Sequence, residues 1–517
     1  MAGNLAGAGA TPADIDTGRA AHQRGDLGGA KAVYESILAQ NPRDPEALHL
    51  LGVVAFQERK PEESVRLIER AIEINPGNPA YYSNVALTYQ ALNRWEEAVR
   101  RGEQAVALNP EMAEGHNNLG IALKRLNRLE AAEAAFRKAL ECRPGFAEAR
   151  TNLGAVLRDL NRADEAMAIY EAVLADAPNH LGARLGVANV HKDRGRIDSA
   201  VAQYRRILDA TPDAAEVYNN LGLALYHGGR PAEAADALRE AVRRKPGYAV
   251  AGSGLIFCMN YLPGPDTGEI YRESVRWGER HADPLAAGAE AHVNDRNPDR
   301  RLRVGYLSQD LRTHSVAYFL EPLIAAHSRE AIEVVLYADV HRPDEVTERF
   351  KALADEWCVT VGWSDERLAD RIRRDRIDIL VDLIGHTGDT RLLTLARKPA
   401  PVQVSWLGYP NTTGVKAVDA RLTDPVADPP DGPADGRHTE RLIRLPEGFL
   451  CFRPPDDAPE VGSLPAGDDG PITFASLNHL AKVTDEAVDA WTELLRRVPQ
   501  SRLLIKKVQP EIGRAHV

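Results

Sequence analysis

Three short peptides in the second half of the chain concentrate imidazole, hydroxyl and glycine: Ser308-Gln-Asp-Leu-Arg-Thr-His-Ser315, Gly385-His-Thr-Gly388 and Leu407-Gly-Tyr-Pro-Asn-Thr-Thr-Gly414. Each follows a short apolar run. Histidine titrates near neutral pH, hydroxyls donate and accept hydrogen bonds, and glycine lets backbone approach a ligand closely. If the apolar runs are strands of one parallel sheet, the three peptides meet at its carboxyl edge. In open α/β sheets that edge is where ligands bind.

The surrounding pattern supports such a sheet. Apolar runs alternate with amphipathic segments from Arg301 onward, which predicts a parallel sheet covered by helices. Strands are read at Arg303–Leu307, Glu333–Ala338, Ile377–Leu383, Val402–Trp406 and Arg441–Leu445, and helices at Val316–His327, Asp344–Asp355, Asp365–Arg374 and Asp389–Arg397. A Pro/Asp/Gly-rich stretch, 454–470, leads to a second strand–helix–strand unit at Ile472–Ser476, Asp485–Arg497 and Arg502–Ile505. Two strands and one helix are too few for an independent sheet. That tail should be loosely held or dock its apolar helix face on the first lobe.

The first half is a repeat. Prolines recur every 34 residues at Pro42, Pro76, Pro110, Pro144, Pro178, Pro212 and Pro246. In the same phase stand the small residues Ala30, Ser64, Ala98, Ala132, Ala166, Ala200 and Ala234, the glycines Gly52, Gly120, Gly154 and Gly222, and the aromatics Tyr34, Phe136, Tyr170 and Tyr204. Proline stops each second helix because it lacks the amide hydrogen and clashes with the preceding turn. This is the tetratricopeptide pattern, an α-solenoid whose helix pairs bury a core only against their neighbours and wind into a right-handed superhelix. A further helix, Ala249–Tyr261, should cap it before the break at Leu262-Pro-Gly-Pro-Asp266. Asn84, Asn118, Asn152 and Asn220 also keep register, Leu50 and Gly186 interrupting the row. Such a column on the concave face can hold an extended peptide backbone, or it can bond within and between the helices.

The bulk numbers exclude several classes. The chain has 517 residues, 44% apolar and 27% charged, with a net charge of −11 and no basic block, so nucleic acid is not an expected partner. No apolar run approaches the roughly 18 residues of a membrane helix, and Met1–Thr11 has no signal-peptide pattern. Cys142, Cys258, Cys358 and Cys451 are far apart with no C-x-x-C pair, which disfavours structural zinc and disulfides and fits a reducing cytoplasm.

Longer stretches carry a resemblance. Arg301-Leu-Arg-Val-Gly-Tyr-Leu-Ser-Gln-Asp310 with His314, Arg397-Lys-Pro-Ala-Pro-Val-Gln-Val-Ser-Trp-Leu-Gly-Tyr-Pro410 with Thr412-Thr-Gly414, and Phe474-Ala-Ser-Leu-Asn-His-Leu-Ala-Lys482 resemble the catalytic region of O-linked N-acetylglucosamine transferases. The upstream repeats complete the likeness. It implies a two-lobed, GT-B type glycosyltransferase with a UDP-sugar donor and an inverting displacement onto a protein Ser or Thr hydroxyl. No metal is expected: Asp14-Ile-Asp16 matches Asp-x-Asp by letter but lies in the first repeat, not at a strand end. The resemblance makes His314 the active-site histidine and Lys482 the diphosphate contact, just before a helix N-terminus that would add free amides. It places His386, Asn478, Leu407, Gly408, Tyr409 and Pro410 around the donor, and protein acceptors along the repeats.

The expected layout is 1–10 disordered, 11–261 repeats and cap, 262–300 linker, 301–453 first catalytic lobe, 454–470 linker, 471–510 the start of an incomplete second lobe. Residues 511–517 are expected to be an artefact, since Ile512–Val517 can be encoded by a common sequencing adapter. A fragment with one cleft wall should be inactive alone. The rival readings are a SPINDLY-type O-fucosyltransferase using GDP-fucose, a relative acting on another acceptor, and a non-catalytic repeat scaffold.

Overall fold

The 34-residue register reappears as backbone geometry in the computed structural model, which describes residues 14–264, 267–297, 299–454, 458–462 and 470–505. Each second helix of a pair ends two residues before its proline, as in Leu27–Gln40, Pro61–Ile74 and Trp95–Leu108. The turn inside each pair places one residue at positive φ, in phase: Gly25, Arg59, Asn93, Asn127, Asn161, Gly195 and Gly229. Glycine and asparagine take this left-handed conformation most readily, so the turn chemistry repeats with the helices. The residues expected to be disordered, 1–10, and those expected to be an artefact, 511–517, lie outside the described residues.

The chain divides into two compact units, one ending at Gly186 and one beginning at Val187. In the first, the in-phase glycines admit aromatic rings from the following helix. A Cβ on Gly154 would stand 2.7 Å from the Tyr170 ring, and one on Gly120 2.7 Å from Phe136. Asn84, Asn118 and Asn152 of the asparagine column are half-buried and bond between repeats. Asn152 Nδ2 donates to Asn117 Oδ1 (3.0 Å), Asn118 Nδ2 lies 3.4 Å from Ser83 Oγ, and Asn84 Nδ2 lies 2.7 Å from His49 Nε2. Each partner sits 35 residues earlier. The amide hydrogens therefore join consecutive first helices.

The second unit begins with the remaining repeat helices. The cap runs Ala249–Met259, and the stretch expected as a linker instead carries helix Thr267–Trp277, a π-helical turn Gly278–Ala282 and a short helix Asp283–Ala286. Trp277, 4% exposed, explains the ordering: its indole Nε1 donates to the Ala249 carbonyl (2.9 Å) against a cap helix that has glycine at 252 to receive it.

Seven parallel strands follow: β1 Leu302–Ser308, β2 Ile332–Ala338, β3 Glu356–Val359, β4 Ile379–Asp382, β5 Val402–Ser405, β6 Ala420–Thr423 and β7 Arg441–Arg444. Their order is β3-β2-β1-β4-β5-β6-β7. The order reverses between β1 and β4, the switch point at which doubly wound sheets open a crevice. One buried core, including Val304, Leu320, Ile324, Val334 and Leu336, fills the space under the covering helices. Strands β3 and β6 were not expected from the sequence, and the helix expected at Asp389–Arg397 shrinks to Leu392–Ala396.

The tail forms a parallel pair, β8 Thr473–Ser476 and β9 Arg502–Ile505, with helix Asp485–Arg497 between them. Its expected docking is corrected. Helix Asp485–Arg497 buries no residue. The tail instead meets the last repeat through His479, stacked on Tyr226 at 5.3 Å, and Leu480, packed on Gly229.

Candidate active site

At the end of β1 the chain turns over a buried polar pair. Ser308 Oγ accepts from the Asp310 amide (2.9 Å), and Asp310 is 6% exposed. Burial raises the Asp310 pKa, partly offset by the nearby His314 and Arg312. His314 caps helix Ser315–Ala326: its Nδ1 accepts from the Val316 amide (3.3 Å) and lies 3.6 Å from Asp310 Oδ2. The amide contact requires a lone pair on Nδ1, so neutral His314 carries its proton on Nε2.

Asp382 closes β4. It is buried, its carboxylate accepts from the amides of Ile384 (3.2 Å) and Gly385 (2.9 Å), and burial pushes its pKa up to about 6. The resulting turn aims His386 inward. His386 is 1% exposed, with Nε2 donating to the Thr413 carbonyl (2.9 Å) and Nδ1 accepting from Ser253 Oγ (2.7 Å). Trp277 and Tyr409 meet its ring edge to face at 5.0 and 5.3 Å. The expectation of a pocket-lining His386 is therefore corrected: both nitrogens are spent joining the repeat cap to the strand ends.

The peptide after β5 needs its particular residues. Leu407 has φ of 69°, and a Cβ on Gly408 would overlap the Leu383 carbonyl at the end of β4. Tyr409 is buried, its hydroxyl accepting from Asn260 Nδ2 (3.1 Å), whereas Pro410 is exposed. Beneath lie two charges that sequence reasoning passed over. Glu440 accepts from Thr412 Oγ1 and the Thr413 amide (both 2.7 Å) and from Thr413 Oγ1. Arg421 Nη1 donates to the carbonyls of Tyr409 (2.7 Å) and Asn411 (3.2 Å).

The three peptides thus form one rim. Gln309 Oε1 accepts from the Asp389 amide (3.2 Å), linking the first to the second, and His386 links the second to the third. Asn478 and Lys482 are exposed on the tail, which contacts the last repeat, and no hydrogen bond or ion pair joins them to this rim among the described residues. Ser253, Asn260, Trp277, Arg421 and Glu440 were missed because their partners are remote in sequence. Among the described residues no group of three or more His, Cys, Asp or Glu could hold a metal ion, and no helix is long and apolar enough to cross a membrane.

The buried histidine yields a pH prediction. His386 has its pKa pushed from 6.5 down to about 4 by burial. The folded state then binds fewer protons than the unfolded one, and the stability His386 contributes is lost as pH falls from about 6.5 towards about 4. Asp382 acts oppositely over an overlapping range, its contribution fading as pH rises through about 6. The comparison with His386→Gln isolates the histidine. Wild-type protein should lose more of its thermal midpoint than the variant between about pH 7 and about pH 5, and equal losses would contradict a buried neutral imidazole.

The profile of Glycosyl transferase family 41 matches residues 285–452, and tetratricopeptide profiles match 21–87, 86–145, 125–180 and 186–249. A rice protein (Oryza sativa subsp. japonica) named a probable UDP-N-acetylglucosamine–peptide N-acetylglucosaminyltransferase SPINDLY is 39% identical over 52% of this chain and 29% of its own length. An Arabidopsis thaliana protein named a probable UDP-N-acetylglucosamine–peptide N-acetylglucosaminyltransferase SEC is 32% identical over 40% of this chain and 22% of its own length. The chain spans less than a third of these curated relatives. The solved structure of a Thermobaculum terrenum O-GlcNAc transferase mutant aligns with TM-score 0.64 and 36% identity, covering 72% of this chain and 68% of that one.

Proposed function

This chain belongs to glycosyltransferase family 41, and we propose that it transfers N-acetylglucosamine from UDP-N-acetylglucosamine to Ser or Thr hydroxyls of proteins. The observation that carries this reading is the single rim at the β1, β4 and β5 ends, with His314 standing over buried Asp310.

In the proposed reaction the acceptor oxygen attacks the anomeric carbon as the bond to the diphosphate breaks, and the hydroxyl proton passes to His314 Nε2. That role needs the resting proton on Nδ1. Asp310, 3.6 Å away, is placed to accept it in exchange for the Val316 amide contact. Lys482 and the N-terminus of helix Asp485–Arg497 meet the charge on departing UDP, with Asn478 beside them. Leu407, Gly408, Tyr409 and Pro410 shape the donor cleft through backbone groups, since Tyr409 points inward.

Asn84, Asn118, Asn152 and Asn220 are assigned to the acceptor backbone. The amide hydrogens of Asn118 and Asn152 face the preceding helix, and their Oδ1 atoms accept no hydrogen bond among the described residues. A peptide amide can therefore donate to each. Four free cysteines suit a cytoplasmic setting.

The test is transfer by full-length protein to a Ser/Thr peptide, offered UDP-N-acetylglucosamine or GDP-fucose and read by mass spectrometry. Addition of one N-acetylhexosamine from the UDP donor is expected. Fucose addition alone would replace the donor assignment, and transfer from neither would remove the enzymatic reading.

A further inference from the structure

A groove of about 490 Å³ lies between the last repeat pair, the cap helix and the Thr267–Trp277 segment. Its floor is apolar: Val242 from helix Pro231–Arg244, Leu255 and Met259 from the cap, and the flank of Trp277. Its walls are charged. Arg239 and Arg243 stand one helical turn apart on one side, and Arg276 and Arg280 repeat that spacing on the other, with Glu269 and Glu273 beside them. Four guanidinium groups line the groove against two carboxylates, in a chain with net charge −11.

Among the described residues three of these arginines are held only by acids on their own helix: Asp236 with Arg239 (2.9 Å), Glu240 with Arg243 (2.8 Å) and Glu273 with Arg276 (2.5 Å). Exposed pairs one turn apart are worth little and exchange readily for a better partner. Arg280 makes no hydrogen bond or ion pair among the described residues. It extends from the π-helical turn Gly278–Ala282, an irregularity often found at functional sites.

We infer that this groove binds an acidic peptide segment of a partner protein, seating an apolar side chain on the Trp277 floor between two arginine pairs that clamp flanking carboxylates. Arginine suits the role because its planar fork meets a carboxylate with two parallel bonds. The volume is that of a pocket for a few residues. Glu269 and Glu273 in the wall disfavour a continuous phosphate backbone. The assignment does not depend on the transfer reaction.

Fluorescence anisotropy of a labelled Glu-Glu-Leu-Phe-Glu-Glu peptide with the 517-residue chain tests it. Saturable binding that weakens with added salt is expected. Affinity should fall about tenfold or more in Arg239→Ala/Arg280→Ala and in Arg243→Glu/Arg276→Glu, because each removes one member of both clamps. All four positions are exposed, so circular dichroism should be unchanged. Wild-type affinity in both variants would overturn the assignment. So would equal binding of the lysine-for-glutamate peptide, or of an all-glutamate peptide without the Leu-Phe pair.

Discussion

Glu440→Ala is expected to cost about 3–5 kcal/mol of stability, the range for removing a buried charge that its surroundings are built to compensate. Glu440 is 4% exposed and Arg421 3%, and between them they hold the backbone from Tyr409 to Thr413. Burial pulls the Arg421 pKa down, and the Glu440 charge is the largest influence opposing it. Alanine would leave the Thr412 hydroxyl and the Thr413 amide without their acceptor and the guanidinium without its largest counter-charge. Glu440→Gln keeps the shape and one acceptor, so it should cost less than alanine while still losing the charge. Denaturant unfolding followed by tryptophan fluorescence measures both variants. An alanine variant within about 1 kcal/mol of wild type would show that water replaces the carboxylate, contrary to a dry site.

The same pair shows where sequence reading stops. The repeats were legible because one period governs every level at once: proline, small residue, aromatic and positive-φ turn all recur at 34 residues. Strands β1, β2 and β5 were legible as apolar runs bounded by polar ones. Strand β6 was not, since Ala420-Arg421-Leu422-Thr423 reads as surface. Its arginine is buried only because Glu440, Tyr409 and Asn411 surround it, and no local pattern carries that fact. Strand β3, Glu356–Val359, is too short for a periodic signal.

His386 failed for a related reason. A histidine between glycines after a strand has the local signature of a ligand contact. Its true partners, Ser253 and Thr413, lie 133 and 27 residues away. Gly414 shows the converse. Its place in a Thr-Thr-Gly motif suggested a loop lining the cleft, whereas its φ of +70° and the Ser274 carbonyl against it admit only glycine. The part of the chain expected to be a linker thereby becomes a wall behind the rim.

In full-length enzyme Lys482→Ala is expected to lower turnover about 10²-fold or more, because departing UDP would lose its main side-chain counter-charge. Lys482 ends the short turn Leu480–Lys482 and is exposed. The turn is fixed from its other end: His479 caps it and stacks on Tyr226 of the last repeat, and its pKa is lowered by burial first and by the Lys482 charge second. The lysine therefore sits on an anchored loop, and removing its amine should leave that loop in place. His314→Ala should also impair transfer, with a different signature. If His314 Nε2 takes the acceptor proton, the variant loses the acid limb of the kcat/KM profile, whereas Lys482→Ala lowers the whole profile without reshaping it. Rates with UDP-N-acetylglucosamine and a peptide acceptor across pH separate the two roles. Near-wild-type turnover in both variants would place the chemistry elsewhere, and an unchanged acid limb in His314→Ala would leave the histidine as a helix cap for Val316 and assign the base to another group.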